Sequence, residues 1–400
     1  MNYRFQNLDT PCFILDENEF VRNYQAFHNA LLQKFQKVGV GLSVKTNSLP
    51  YLLSLAKKTG CYAEVVSHDE YELAKKCGFK GSLIIYNGPL KSKETFIEAL
   101  CNGSVVNIET KRELDWLKEL PPTGEYKVGL RLNIDIAQVS PQDGGEHPDS
   151  RFGFSAENGE LQSALSSIQS LPHTQLVGLH LHRTTSARRP EFYKNLTRYA
   201  VELIKAHHLE LEYLDLGGGY FGIFDGKPSY EEYANAIAES LCSLPNFENL
   251  QIIVEPGNAL TASVFSFLSE VIDYKVAGDV RFITTDGSRN DVDPLFKKSN
   301  YLKEIIYSNN SEACRDSAPT QVISGCSCLE FDRLFTLHDS PMLVPGDRIL
   351  YKNVGAYTMC LSPLFIRFFP SVYSVCQSGN IHLVRDRWTA EQYIALSTIK

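Results

Sequence analysis

The chain has 400 residues, enough for two substantial domains or for one barrel with an accessory domain. Its 43% hydrophobic and 22% charged residues are ordinary for a globular protein, and its net charge of −8 argues against a general nucleic-acid role. No run of about 18 apolar residues suggests a membrane span. The start, Met1-Asn2-Tyr3-Arg4-Phe5, is not a basic run followed by an apolar block, and ten scattered cysteines without paired metal spacing read as free thiols in a reducing cytoplasm.

In chain order, the first β-rich run is Cys12–Leu15. Eight more follow: Val38–Lys45, Tyr62–Ser67, Ser82–Asn87, Val105–Glu109, Tyr126–Asn133, Leu176–His182, Tyr213–Gly217 and Ile252–Pro256. Helical patterns separate most of them. Leu49–Lys58 is one; Phe192–His207 is another, with Phe192, Leu196, Tyr199 and Leu203 at helical spacing. Eight strand–helix alternations predict an α/β chain built on a (β/α)8 TIM-like barrel, with a doubly wound sheet as the competing arrangement. Position favours the barrel. Lys45, Asn87, His182, Gly217 and Glu255 all fall at the C-terminal ends of runs, and in a parallel barrel those ends converge on one mouth.

After about residue 270 the pattern changes. Val271–Val276, Val280–Thr284, Gln321–Ser324, Arg348–Val354, Phe365–Val375 and Ile381–Val384 follow one another without clear helices between them. They predict a C-terminal, mostly antiparallel β-domain, which Cys12–Leu15 joins. The expected division is an N-terminal segment over 1–25 that joins the β-domain, a barrel over 26–270, and the β-domain over 271–400.

Several residues invite a chemical reading. A lysine ending an apolar run, as Lys45 does, often marks only a strand leaving the core; its functional reading is a Schiff-base lysine fixed on a rigid element. Glu255 follows three apolar residues and precedes Pro256-Gly257, where a carboxylate is costly unless paired. It suits a partner for a protonated pyridine nitrogen, and a structural ion pair is the plainer alternative. Gly217-Gly218-Gly219 lets backbone N–H groups approach a phosphate, although a triple glycine is often only a loop. His180 and His182 would share one strand face. A metal site would want further His or Asp ligands at other strand ends, and among the remaining histidines only His68 lies near one, so stacking on a flat cofactor ring is preferred and no metal is expected.

Together these residues resemble the pyridoxal-phosphate (PLP) dependent decarboxylases of the diaminopimelate/ornithine/arginine group, which use an alanine-racemase-like barrel. The resemblance is collinear from about Thr10 to about Tyr357. Ser43-Val44-Lys45-Thr46-Asn47 is similar to the cofactor-lysine strand. Glu64-Val65-Val66-Ser67 with Glu70 resembles the second-strand acidic motif, with Glu64 where Asp is usual. Asn87-Gly88-Pro89-Leu90-Lys91-Ser92 and Ser150-Arg151-Phe152-Gly153 match as well. The resemblance implies that His182 stacks on the pyridine ring, that Thr185 offers a hydroxyl to the phosphate, and that Gly217, Gly218 and Gly219 form the phosphate turn. It implies Glu255 as the pyridine-nitrogen partner, with Gly257 and Asn258 beside it. In the β-domain, Gly325-Cys326-Ser327-Cys328 with Asp332 resembles the motif that supplies a catalytic Cys from the neighbouring subunit, and alignment gives that role to Cys328. Tyr357 of Gly355-Ala356-Tyr357 matches a phosphate-reaching Tyr. The implied assembly is a homodimer with shared active sites acting on a small amino-acid-type substrate, without nucleic acid or membrane.

The departures concern substrate. The family usually has Arg after Glu-Pro-Gly, where this chain has Asn258. Diaminopimelate enzymes carry Arg-Pro where Asp293-Pro294 stands here, and Glu after the catalytic Cys, where Leu329 precedes Glu330. Those groups recognise the distal amino-acid end of diaminopimelate, so replacing a cation by an anion reverses the preference for a distal carboxylate. Asp293, Leu329, Glu330 and Asp332 are therefore the expected substrate-side residues. The expected function is decarboxylation of an amino acid or conjugate other than diaminopimelate, of the kind used in polyamine, siderophore or peptide-antibiotic biosynthesis. Cys328, or Lys45, would reprotonate the substrate carbon after CO2 leaves. The rival readings are a diaminopimelate decarboxylase of lysine biosynthesis, a PLP amino-acid racemase, a non-catalytic regulatory homologue and a metal hydrolase.

Overall fold

The computed structural model describes residues 5–141, 150–183, 188–245, 247–308, 315–395 and 397–398. The chain divides into two compact units, one of residues 21–260 and one combining residues 1–20 with 261–400.

The first unit is a closed parallel barrel. Its strands are β1 (Val38–Ser43), β2 (Tyr62–Ser67), β3 (Ile84–Leu90), β4 (Val105–Ile108), β5 (Tyr126–Asn133), β6 (Thr174–His180), β7 (Tyr213–Asp215) and β8 (Gln251–Val254). Each pairs in parallel with its neighbour in chain order, and β8 returns to β1 through Ile252–Val38, Ile253–Gly39 and Val254–Val40. Closure leaves no free edge, which excludes the doubly wound alternative. Ile85, Val177, Tyr213 and Ile253 form one buried cluster of the barrel. The helix expected over Leu49–Lys58 runs Pro50–Thr59: Pro50 occupies its first turn, and Gly60, at φ 86°, ends it in the left-handed region. The helix at Pro190–Ala206 buries Phe192, Leu196, Tyr199 and Ile204 along one face.

The second unit is a nine-stranded sheet. Six of its eight pairings are antiparallel; Cys12–Asp16 with Ser371–Val375, and Val280–Thr285 with Ser317–Ser324, are parallel. Cys12, Ile14, Leu268, Ile306, Leu350 and Val375 form a core cluster. Two strands, Lys303–Ile306 and Arg333–Pro341, have no counterpart among the expected runs. The expected run Phe365–Val375 is a strand only over Ser371–Val375. Ile366 sits at φ 68°, a conformation that no β-branched residue holds in a strand, and Arg367 there is tied to the Asp291 carboxylate and the Asp286 carbonyl.

Candidate active site

Strand β1 ends at Ser43, two residues earlier than its apolar run, and a single 3-10 turn, Val44–Thr46, carries Lys45 beyond it. The Asn47 N–H closes the turn on the Val44 carbonyl at 3.1 Å. The Lys45 Nζ donates to Glu64 Oε2 at 2.7 Å, and the Ser43 hydroxyl donates to the same oxygen at 2.6 Å. Glu64 is buried while the Lys45 side chain is 40% exposed, so a fixed anion holds an amine that solvent still reaches. The turn after β8 lies close against this lysine turn. A Cβ on Gly257 would stand 2.1 Å from the Thr46 Oγ1, so only glycine fits there.

Behind the lysine lies a layer of buried polar side chains drawn from several strands. Asn87 of β3 donates through Nδ2 to Glu255 Oε1 at 2.5 Å and to Glu64 Oε1 at 3.2 Å. Its Oδ1 accepts from Asn107 Nδ2 of β4 at 2.8 Å. Asn107 also reaches Asp215 Oδ2 at 3.2 Å, and its Oδ1 accepts from the Tyr213 hydroxyl at 2.8 Å. His180 Nε2 lies 3.5 Å from Glu255 Oε2. Burial, reinforced by the Arg131 guanidinium, holds the His180 pKa well below the ordinary imidazole value, so the ring is neutral.

His182 lies two residues beyond β6 rather than on it, yet its ring stays nearly parallel to that of His180, 13° apart with centroids at 6.4 Å. Its Nδ1 accepts the Gly218 N–H at 3.1 Å, which fixes the proton of the neutral ring on Nε2. Burial and Arg131 push its pKa well below the ordinary value as well. Gly217 and Gly219 stand at φ 61° and 103°, and a Cβ on Gly217 would meet the His182 ring at 2.6 Å. The Tyr193 hydroxyl donates to the Gly218 carbonyl at 2.9 Å, and its ring stacks on Tyr220 at 4.3 Å, so an aromatic cluster supports the glycine turn.

Two buried ion pairs support the layer. Arg131 of β5 pairs with Glu109 at 2.9 Å, and its Nη2 contacts the His182 carbonyl at 3.5 Å. Lys91 pairs with Glu113 at 3.3 Å with neither side chain exposed, and Glu113 accepts the Glu109 N–H at 2.8 Å. Asn107, Glu109, Arg131 and Asp215 were not among the expected site residues. Asn107, Arg131 and Asp215 are polar residues within apolar strand runs, as in Leu130-Arg131-Leu132 and Leu214-Asp215-Leu216, and that interruption is the signal for them, whereas Glu109 directly follows its strand.

In the second unit, Cys328 is exposed and Cys326 is half-buried, and burial raises the Cys326 thiol pKa. Asp332 organises their turn. Its carboxylate accepts from Ser288 Oγ (3.1 Å), the Arg289 N–H (2.8 Å) and the Ser327 N–H (3.1 Å). Asp293, expected on the substrate side, is buried and accepts from Arg289 Nε and Nη2, the Tyr301 hydroxyl and the Lys297 and Lys298 N–H groups, all within 3.2 Å. Both carboxylates are thus spent on their own loops. Leu329 is half-buried, Glu330 carries a side chain 98% exposed, and Tyr357 is exposed at φ 54°. Asn258 opens the short helix Asn258–Thr261. Thr185 lies outside the described residues.

The barrel residues fit PLP. An accessible amine is held by an anion, a neutral imidazole offers a fixed face, a buried carboxylate follows β8, and a glycine turn tolerates no Cβ. His180, Asp215 and Glu255 also bring ligand atoms within 4.8 Å of one another. A cation there would face the amide N–H groups that Asn87 and Asn107 aim at the two carboxylates, which disfavours the metal reading. Among the described residues no helix is long and apolar enough to cross a membrane.

Residues 18–262 match the family described as the pyridoxal-binding domain of pyridoxal-dependent decarboxylases. The chain is 29% identical to a probable chloroplastic diaminopimelate decarboxylase of Oryza sativa subsp. japonica, over 96% of this chain and 79% of that one. It is 25% identical to the L-glutamyl-(BtrI acyl-carrier protein) decarboxylase of Niallia circulans, covering 98% of this chain and 92% of that one. The crystal structure of a diaminopimelate decarboxylase from M. jannaschii superposes with a TM-score of 0.84 at 24% identity, over 99% of this chain and 94% of that one, and supports the fold.

Proposed function

Since the chain belongs to the pyridoxal-dependent decarboxylase family, we propose that it removes the α-carboxylate of an amino acid or amino-acid conjugate, with Lys45 as the residue that holds PLP. The observation that carries this is the convergence of Lys45, His182 and Glu255 on one barrel mouth with the Gly217–Gly219 turn. When bound, PLP supplies an electron sink for the carbanion left by CO2. Glu64 would hold the Lys45 ammonium, the neutral His182 would present its ring face, Glu255 would hold the ring nitrogen, and Gly217–Gly219 with Gly257 and Asn258 would receive the phosphate, a role that the family resemblance also assigns to Thr185 and Tyr357. Cys328, supplied by the second subunit of a homodimer, delivers the proton to the substrate carbon.

We further propose a substrate other than diaminopimelate. Asn258 and Leu329 carry no charge, and Asp293 is closed off by five internal hydrogen bonds, so it neither attracts nor repels a distal group. The exposed Glu330, whose own partner Arg333 stands 3.7 Å away, is the remaining acid of that set and favours an amine-bearing distal end. Diaminopimelate itself is the second reading, favoured by the names of the rice and M. jannaschii proteins. CO2 release measured across diaminopimelate, lysine, ornithine, arginine and larger amino-acid conjugates decides between them. A kcat/KM for diaminopimelate on the order of 10⁴ M⁻¹s⁻¹ or better would overturn the first reading.

A further inference from the structure

The buried charges of the barrel do not balance if every carboxylate is ionised. Lys45 is matched by Glu64, Arg131 by Glu109 and Lys91 by Glu113. Asp215 and Glu255 remain. Among the described residues neither pairs with a Lys or Arg, and the one nearby base, His180, is neutral. Their oxygens lie within 4.8 Å of each other, Asp215 is fully buried and Glu255 nearly so. Two carboxylates so placed cannot both ionise; one proton stays with the pair.

The hydrogen bonds decide which one holds it. Glu255 Oε1 receives the Asn87 amide at 2.5 Å, the shortest of the hydrogen bonds to the pair, and charged acceptors draw the shorter bonds. Asp215 receives only the Gly217 N–H at 3.0 Å and the Asn107 amide at 3.2 Å, both of ordinary length. We infer that Asp215 is a carboxylic acid at neutral pH, a positioning residue that donates its proton to Glu255 and leaves Glu255 as the single unmatched anion of the barrel floor. The other groups facing Asp215 are Glu64, which disfavours its ionisation, and the Tyr213 and Tyr220 hydroxyls, themselves held neutral by burial. Burial, with Glu255 next, places the Asp215 pKa well above the usual carboxyl value, in agreement with this assignment. The consequence rests on the PLP reading: one anion, and not two, would then meet one protonated ring nitrogen.

Infrared difference spectroscopy on the purified protein tests the protonation state without reference to turnover. The wild-type minus Asp215→Asn spectrum at neutral pH should contain the C=O stretch of a protonated carboxylic acid, above the amide band. Asparagine mimics a neutral acid, so Asp215→Asn should bind PLP within about threefold of wild type, whereas Asp215→Leu, which takes the proposed donor from Glu255 and one acceptor from Asn107, should weaken PLP about tenfold or more. A difference spectrum showing loss of carboxylate bands instead, or the acid band vanishing in Glu255→Gln but not in Asp215→Asn, would overturn the assignment. The two ideas fail separately. Absence of a borohydride-sensitive visible band in the wild type counts against the PLP reading, and the acid band still reports on Asp215.

Discussion

Replacing Lys91 with methionine removes the cation from a pair in which neither side chain reaches solvent. Methionine nearly matches the lysine stem in length and volume, so the change is mainly one of charge. The Gly88 carbonyl loses its donor at 2.7 Å, and Glu113 keeps only the Glu109 N–H at 2.8 Å. A buried carboxylate stripped of its partner costs roughly 3–5 kcal/mol. At roughly 2–4 °C per kcal/mol for a domain of this size, Tm should fall by about 6–20 °C. Burial pulls the Lys91 ammonium below its ordinary pKa despite Glu113 and Glu109, so the intact pair contributes little net stability. Lys91→Met with Glu113→Gln should therefore recover most of the loss, because glutamine still accepts the Glu109 N–H and no unmatched charge remains. The effect should also reach the cofactor. Glu113 holds Glu109, Glu109 holds Arg131, and Arg131 contacts the His182 carbonyl. Calorimetry and urea titration of both variants, with PLP titration beside them, measure this. A single variant within 1 kcal/mol of the parent, or a double variant no more stable than the single, would refute the reasoning.

Lys45→Ala should lose the covalent cofactor and all turnover while keeping the fold; peptide mapping after borohydride reduction that finds the pyridoxyl group on another lysine counts against it. Lys45→Ala and Cys328→Ala, each inactive, should regain activity when mixed under conditions of subunit exchange, and proven exchange without recovery would argue against a shared site. Burial raises the Glu70 pKa from 4.5 to about 7. The folded state therefore binds this proton more tightly than the unfolded chain does, and that stability is present below pH 4.5 and lost as pH rises through about 7. Glu70→Gln, whose side-chain oxygen still accepts the Val66 N–H, should flatten the stability profile over that window; an unchanged slope would show that another group titrates there.

The barrel was legible because its strands are short apolar runs buried on both sides, and periodicity finds such runs well. What it misplaced are the ends. Lys45 and His182 continue apolar sequence, Val44 before the one and Leu181 before the other, but the backbone has already left the ladder for a turn. Those turns hold Lys45 and His182, which are proposed to meet the cofactor. Lys303–Ile306 and Arg333–Pro341 escaped notice because Lys, Glu, Arg, His and Asp interrupt their apolar pattern, and Phe365–Pro370 imitated a strand by composition alone. In the site, Lys45, His182, Gly217 and Glu255 were visible as strand-end residues. Asn107 and Asp215 were visible only as interruptions of apolar runs, and their partners lie on strands distant in sequence.

Asp293 shows why substrate recognition is harder to read than cofactor recognition. A residue type opposite in charge to the family's Arg invites an electrostatic argument across the substrate. The argument assumes that the carboxylate faces outward. Here five donors from Arg289, Lys297, Lys298 and Tyr301 converge on it, and they fix the turn that follows the short helix Arg289–Val292. Asp332 does the same for the cysteine turn, and Asp291 for Arg367. The acidic residues near Cys328 are therefore mostly architectural: they hold a loop that exposes Cys328 and Glu330, with Phe331 beside them. On the proposed substrate reading, selectivity against a distal carboxylate would follow less from an added repulsion than from missing cations at 258 and 293. A missing cation lowers affinity for diaminopimelate without creating affinity for anything else, so the chain should accept substrates that differ at the distal end more readily than a diaminopimelate enzyme does. Installing Asn258→Arg should accordingly raise kcat/KM for distal carboxylates and leave the cofactor spectrum unchanged.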